Sequence, residues 1–329
     1  MPLRHMLTML ILLAALPLPG CDRADDAAMD ADDTFRVYVV NHPLQYMAER
    51  IAGDAAEVHL PLPAGAHPRY WQPEPATIQR YQQADLVLLN GARYARWVGR
   101  ASLPGGVVVD TAAGFRDRLL EVPDAVVHSH GDGPAHAHAG VAAYTWLDPS
   151  LAIEHGRAIR DALAQRLPEH ADAFGERFDA LAAELAELDD QLAELSARHG
   201  DVPLLAARPV YHYLARAHGL DITHLQWQRG RTPTDREWDA LDEMLEARAY
   251  GVMLWPEALP AEVAQRLERR GLRVVVFETA DAPANDADLL QRLRANLDAL
   301  GAALDAAGET DAGVTSPGQG RVGSAYRGL

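Results

Sequence analysis

With 329 residues, 48% of them hydrophobic, the chain is long enough for two α/β lobes with real cores. Its 47 acidic residues against 30 basic ones give a formal charge of −17, which excludes the clustered cationic surface that a nucleic-acid partner needs. Every basic residue is arginine and Cys21 is the one cysteine, so lysine-based catalysis, intrachain disulfides and a cysteine-built zinc site are excluded as well.

The N-terminus has Arg4 and His5, then an apolar run over 6–18, then Pro19-Gly20-Cys21. A short charged start and an apolar stretch of this size read as a signal peptide over 1–20, too short for a stable membrane span. The Leu18-Pro19-Gly20-Cys21 ending resembles the bacterial lipoprotein cleavage box, which implies lipidation of Cys21 and a membrane anchor made of acyl chains. Residues 21–33, rich in aspartate, read as an acidic flexible linker.

From there strands and helices alternate. Strands are expected over 35–40, 57–60, 85–89 and 107–110, with helices over 42–52 and 76–83 and a proline-rich loop over 61–75. Residues 111–143 read as loop. Asp148-Pro149, a cap followed by a first-turn proline, opens a helix to about 167. After residue 200 the pattern resumes, with strands over 203–206, 221–225, 252–255 and 273–277. Helices are expected over 210–218, 234–249, 260–270 and 286–304. Thr234-Asp235-Arg236-Glu237 has the spacing of a capping box. The tail from 308 reads as disordered.

Between the two repeats lies the strongest helical pattern, over 168–199. Phe174, Phe178, Leu181, Leu185, Leu188, Leu192 and Leu195 alternate at spacings of four and three, which puts one narrow apolar stripe on one face. At about 1.5 Å per residue this rod is about 45 Å long, enough to span two lobes. The expected fold is therefore α/β, with two lobes, each a mostly parallel sheet flanked by helices, joined by one long rigid helix. The N-terminal lobe is placed at 34–145, the connecting helices at 146–200 and the C-terminal lobe at 201–307. Ligands of such sheets bind beyond the carboxyl ends of the strands, so the loops there, facing one another across a cleft, are where function is expected.

Three stretches carry a family resemblance. They are Pro63-Ala64-Gly65-Ala66-His67-Pro68-Arg69-Tyr70-Trp71 followed by Ala84-Asp85-Leu86-Val87 and Asn90-Gly91; Thr145-Trp146-Leu147-Asp148-Pro149; and Pro209-Val210-Tyr211-His212-Tyr213. Together they resemble the zinc- and manganese-type solute-binding proteins of bacterial ABC importers, over roughly residues 35–305. The resemblance implies an extracytoplasmic, lipid-anchored binding protein and no enzyme. It also implies a metal cargo (Zn2+ first, Mn2+ second) and an ABC permease and ATPase as partners.

The departures fall on the ligands. Where the family places three cleft histidines, this chain has Arg69, Tyr144 and Arg208. The fourth, acidic position is matched by Asp281, with Glu278 as a second candidate. A protonated guanidinium has no lone pair, so arginine cannot replace imidazole as a ligand. Either carboxylate could instead pair with the arginines and lock the cleft, or the arginines could trap an anion or a metal chelate between them.

Metal donors remain elsewhere. His128, His130, Asp132, His136 and His138 stand within eleven residues, a tract that can wrap a borderline metal, and His67 lies two residues before Arg69. His128-x-His130-x-Asp132 also echoes the start of metallo-β-lactamase-type hydrolase motifs, but Gly133 stands where that motif has a further histidine. His212, His218 and His224, like the tryptophans, read as packing residues.

Overall fold

The computed structural model describes residues 34–123, 139–284 and 287–314. The leader with Cys21, the acidic linker, the histidine tract 128–138 and residues 315–329 lie outside the described residues. Among the described residues, no helix is long and apolar enough to cross a membrane.

The first sheet comprises β1 (Arg36–Val39), β2 (Glu57–His59), β3 (Leu86–Leu89) and β4 (Val108–Asp110). It is wholly parallel, in the order β2-β1-β3-β4. Helices α1 (His42–Ala52) and α2 (Pro75–Gln82) make the crossovers. The start of α1 is set by Asn41, whose side chain accepts from the Leu44 amide, with Pro43 in the first turn. Residues 111–143, expected as loop, instead hold a 3-10 turn over Ala113–Arg118 and an antiparallel pair, β5 (Glu121–Pro123) and β6 (Ala139–Val141). Strands of three residues are too short to show an alternating pattern.

Helix α3 (Pro149–Arg166) follows, capped by Asp148, and then α4 (Ala171–His199), the long helix. The second sheet comprises β7 (Leu204–Ala206), β8 (Ile222–His224), β9 (Val252–Trp255) and β10 (Arg273–Val276). It too is wholly parallel, ordered β10-β9-β7-β8. Its helices are α5 (His212–His218), α6 (Asp235–Ala247) and α7 (Ala261–Glu268); α6 opens on the expected Thr234–Glu237 capping box. The last helix, α8 (Leu289–Val314), runs past residue 308, where a disordered tail was expected.

All seven residues of the apolar stripe on α4 are buried. Each contributes about 2 kcal/mol by leaving water. They do not bridge an empty gap. One continuous core takes in Val37 and Val87 of the first sheet, Leu185, Leu192 and Leu195 of α4, Leu204 and Leu254 of the second sheet, and Leu297 and Leu300 of α8. Close approaches fix the helix on both sides. Gly156 of α3 leaves room for Phe178, and Gly301 of α8 for Leu195, each about as near as a Cβ would tolerate. Arg177 of α4 donates to the Ala52 carbonyl at 3.0 Å, closing the end of α1 where Gly53 turns with φ +55°. The expected strut is thus the common floor of both lobes. A second, smaller core under the second sheet gathers Trp227, Trp238 and Trp255.

Candidate functional site

The carboxyl ends of the two sheets meet at one junction, and local backbone geometry aims the side chains there. After β3, Gly91, Ala92 and Arg93 all adopt left-handed conformations (φ 71°, 48° and 53°), which turns the chain so that Tyr94 points back into the junction. Two consecutive non-glycine residues in that region carry strain, which a fixed surrounding must hold. After β10, Ala280 is also left-handed (φ 53°) and presents Asp281. The turn is clamped by α1: the His42 amide donates to the Asp281 carbonyl at 3.0 Å, and His42 Nδ1 lies 3.2 Å from the Ala280 carbonyl. Trp146 Nε1 donates to the Thr279 carbonyl at 2.8 Å, so the Trp-Leu-Asp-Pro segment is fastened to the same turn.

A buried polar chain supports this arrangement. Asn41 Nδ2 donates to Asn90 Oδ1, and Asn90 Nδ2 donates to Thr145 Oγ1 and the Ala143 carbonyl. Thr145 Oγ1 lies 2.8 Å from His155 Nε2, and Thr111 Oγ1 lies 2.6 Å from Nδ1 while bonding the Leu89 carbonyl. Since Thr111 gives its hydrogen to Leu89, the satisfied arrangement has His155 protonated on Nδ1 and accepting from Thr145 at Nε2. Burial lowers the His155 pKa to about 3, keeping it neutral.

At the centre, Asp281 Oδ2 accepts from the Tyr94 hydroxyl at 2.8 Å, and Oδ1 from Thr279 Oγ1 at 3.1 Å. His67 Nε2 approaches Oδ2 to 3.5 Å. The Arg69 amide donates to His67 Nδ1 at 3.3 Å, so that nitrogen's lone pair is in use and the hydrogen sits on Nε2, facing the carboxylate. Burial first, against the pull of Asp281, holds the His67 pKa below its ordinary value. Burial, with the Asp281 charge adding to it, pushes the phenols of Tyr94 and Tyr144 well above theirs. These phenols are therefore neutral hydrogen-bonding groups.

Arg69, Tyr144 and Asp281 come together at this junction, with Arg208 close enough to act on Tyr144 and His67. The Arg69 guanidinium carbon lies 5.9, 5.9 and 6.0 Å from the ring centres of Tyr70, Tyr94 and Tyr144, as in cation–π contacts. Arg208 is different. Its Nη1 lies 2.8 Å from Glu257 Oε1, and Arg229 Nε holds the other oxygen at 2.7 Å.

The lock expected from Asp281 or Glu278 is thus made by Glu257, and the expected trap between Arg69 and Arg208 has one arm already engaged. Glu278 is turned away onto α8, where it pairs with Arg292 at 2.6 Å and its amide meets Asn296. Glu257, Arg229, Tyr94 and Thr279 were missed in the sequence. Glu257 and Tyr94 follow the carboxyl ends of β9 and β3, the position in a parallel sheet where they could have been sought.

Among the described residues, no group of three or more His, Cys, Asp or Glu side chains is placed to hold a metal ion. Of the expected donors, the structure brings His67 and Asp281 together; the five in the 128–138 tract lie outside the described residues. A divalent cation about 6 Å from the unpaired Arg69 guanidinium would be repelled by about 5 to 6 kcal/mol at an effective dielectric constant of about 20, which weighs against a bare ion here. His212 and His224 stack at 4.2 Å between ring centres with their planes 17° apart, so their lone pairs lie in separate, nearly parallel planes.

The sequence profile of the family described as zinc-uptake complex component A, periplasmic, matches residues 37–303. The chain belongs to this family. Its relatives are metal-binding proteins rather than enzymes, which goes against the hydrolase echo in the histidine tract. Among curated relatives, the chain is 29% identical over 214 residues to the iron-binding protein YfeA of Yersinia pestis, covering 61% of this chain and 62% of that one. It is 25% identical over 210 residues to the zinc-binding lipoprotein AdcA of Streptococcus pneumoniae, covering 63% of this chain and 41% of that one. The matches therefore span less than two thirds of either relative's own length.

The ZnuA-like domain of Streptococcus pneumoniae AdcA, solved with Zn(II), superposes with a TM-score of 0.69 at 19% identity, covering 83% of this chain and 99% of that domain. FpvC of Pseudomonas aeruginosa, solved with Mn2+, superposes with a TM-score of 0.67 at 23% identity, covering 83% and 99%. At these identities the likeness establishes the zinc-uptake component fold: two parallel sheets on one long helix.

Proposed function

We propose that this protein is the extracytoplasmic solute-binding component of an ABC-type metal import system, with zinc as its cargo metal and manganese second. The observation that carries this is the family match over residues 37–303, supported by relatives whose names record zinc, manganese and iron binding. A permease and an ATPase are its partners. The lipoprotein-like start, and relatives that are themselves lipoproteins, support attachment at Cys21 on the outer side of the cytoplasmic membrane or in the periplasm.

On this reading His128, His130, Asp132, His136 and His138 collect zinc, since neutral imidazoles and a carboxylate are borderline donors that suit it. Asp281 adds one donor at the mouth of the junction, and His67 a second once a metal displaces the hydrogen on its Nε2. The test is calorimetric titration of the full chain with zinc and with manganese, and again after His128, His130, His136 and His138 are all replaced by alanine. Zinc binding lost in the quadruple variant supports the proposal. No zinc binding at micromolar concentration would overturn it.

A further inference from the structure

We infer that the junction between the two sheets binds a carboxylate-bearing solute anchored on the Arg69 guanidinium, so that cargo enters either as a free organic acid or as its metal chelate. This rests on the reading of the protein as a solute-binding component and names the chemistry of its cleft. Nη1 of Arg69 is a buried donor with no hydrogen-bond partner. A buried charged donor without an acceptor is costly, and such a group in a binding cleft marks the place of a missing acceptor. Its surroundings supply none: three tyrosine rings surround it, and no carboxylate lies within ion-pair distance of it among the described residues.

Charge selects the same partner. Arg208 and Arg229 are taken up by Glu257, and Asp281 is occupied by Tyr94, Thr279 and His67. Three guanidinium groups face two carboxylates, and the excess positive charge is that of Arg69. One carboxylate of the solute fits this excess, its other charges being left to solvent or to a carried metal, and the planar guanidinium fork matches a carboxylate in shape. The flat rings of Tyr70 and Tyr144 suit the body of an organic acid better than a hydrated inorganic ion. Access is through Tyr70, which lies over Arg69 and is 50% exposed. A metal carried by the acid needs no histidine cage of its own, which accounts for arginine and tyrosine at positions where ligands are otherwise expected.

The test uses the full chain in detergent, titrated calorimetrically with citrate alone, zinc–citrate, zinc alone and inorganic phosphate. The variants are Arg69→Met, Arg69→Lys and, as a control at an exposed arginine on α4, Arg198→Gln. Citrate or zinc–citrate is expected to bind the parent, about 10- to 100-fold more weakly in Arg69→Met and by an intermediate factor in Arg69→Lys, with Arg198→Gln unchanged. Tighter binding of zinc–citrate than of citrate assigns the chelate; equal binding assigns the free acid. The inference is overturned by citrate affinities equal in parent and Arg69→Met, by no citrate binding in either form, or by phosphate binding in place of citrate. Arg69→Met is checked by its near-ultraviolet dichroism, and Arg69→Lys, which keeps the charge, carries the test should methionine unfold the loop. Zinc alone is expected to bind parent and Arg69→Met equally, through the histidine tract. Loss of that response would count against the metal-import reading, not against the anion site.

Discussion

Tyr94 donates its hydroxyl hydrogen to Asp281 Oδ2 at 2.8 Å and so ties the loop after β3 to the turn after β10. Tyr211 makes a similar bond to the Phe277 carbonyl at 2.6 Å, but within the second lobe and to a neutral acceptor. Bonds to charged acceptors are worth about 1.5–3 kcal/mol and neutral ones about 1 kcal/mol. Tyr94→Phe should therefore cost about 2 kcal/mol in urea unfolding and Tyr211→Phe about half as much. Equal losses would show that the cross-lobe bond has no special weight.

Gly91 turns the chain after β3 with φ +71°, and a Cβ there would lie 2.2 Å from Asp110 Oδ1 and 2.6 Å from the Ala112 Cβ. Gly91→Ala meets both strain and collision. It should destabilise the fold by at least about 3 kcal/mol, whereas Gly105→Ala, with open space around it, should change stability by less than about 1 kcal/mol. A mild effect at Gly91 would mean that the loop re-forms without its left-handed turn.

His155 sets a pH dependence whose sign is fixed. Its folded pKa, about 3, lies below the ordinary 6.5. The stabilisation is complete above pH 6.5. It then falls by about 1.4 kcal/mol per unit as the unfolded chain takes up a proton that the folded one refuses, until about pH 3. Burial, and then the neighbouring His212, lowers His224 to about 3 as well, adding a slope of the same sign. Urea midpoints from pH 7.5 to 4.5 should decline more steeply for the parent than for His155→Leu. Parallel declines would remove His155 as a cause.

Glu257 acts in the acid range. Burial alone would raise its pKa, but its bonds to Arg208 and Arg229 outweigh burial and hold it below 4.5. Its stabilisation is present above pH 4.5 and lost as pH falls through the lower folded value. Glu257→Gln should lower the melting temperature at pH 7, where two arginines lose their carboxylate, and should lose less on acidification than the parent. An unchanged melting temperature at pH 7 would mean that solvent screens the pair.

Much of the frame was legible in the chain. The apolar stripe from Phe174 to Leu195 is buried as spaced, Asp148 and the Thr234–Glu237 box cap their helices, and both sheets follow the strand–helix alternation. These are local signals, set by periodicity and by the four unpaired amides of a helix start. The junction was only half legible. The family resemblance put Arg69, Tyr144, Arg208 and Asp281 in the cleft, but the pairing of Arg208 with Glu257 joins residues 49 apart through the packing of β7 beside β9. Nor does composition show which guanidinium is neutralised. That follows from Glu257 reaching Arg208 and Arg229 while Glu278 is drawn away by Arg292 on α8.

Because α4 is the shared floor of a single core, the two halves have no slack seam along which to swing apart. A clamshell movement would have to expose Leu185, Leu192 and their neighbours to water. Any opening of the junction is then left to the rim, where Tyr70 stands half in solvent.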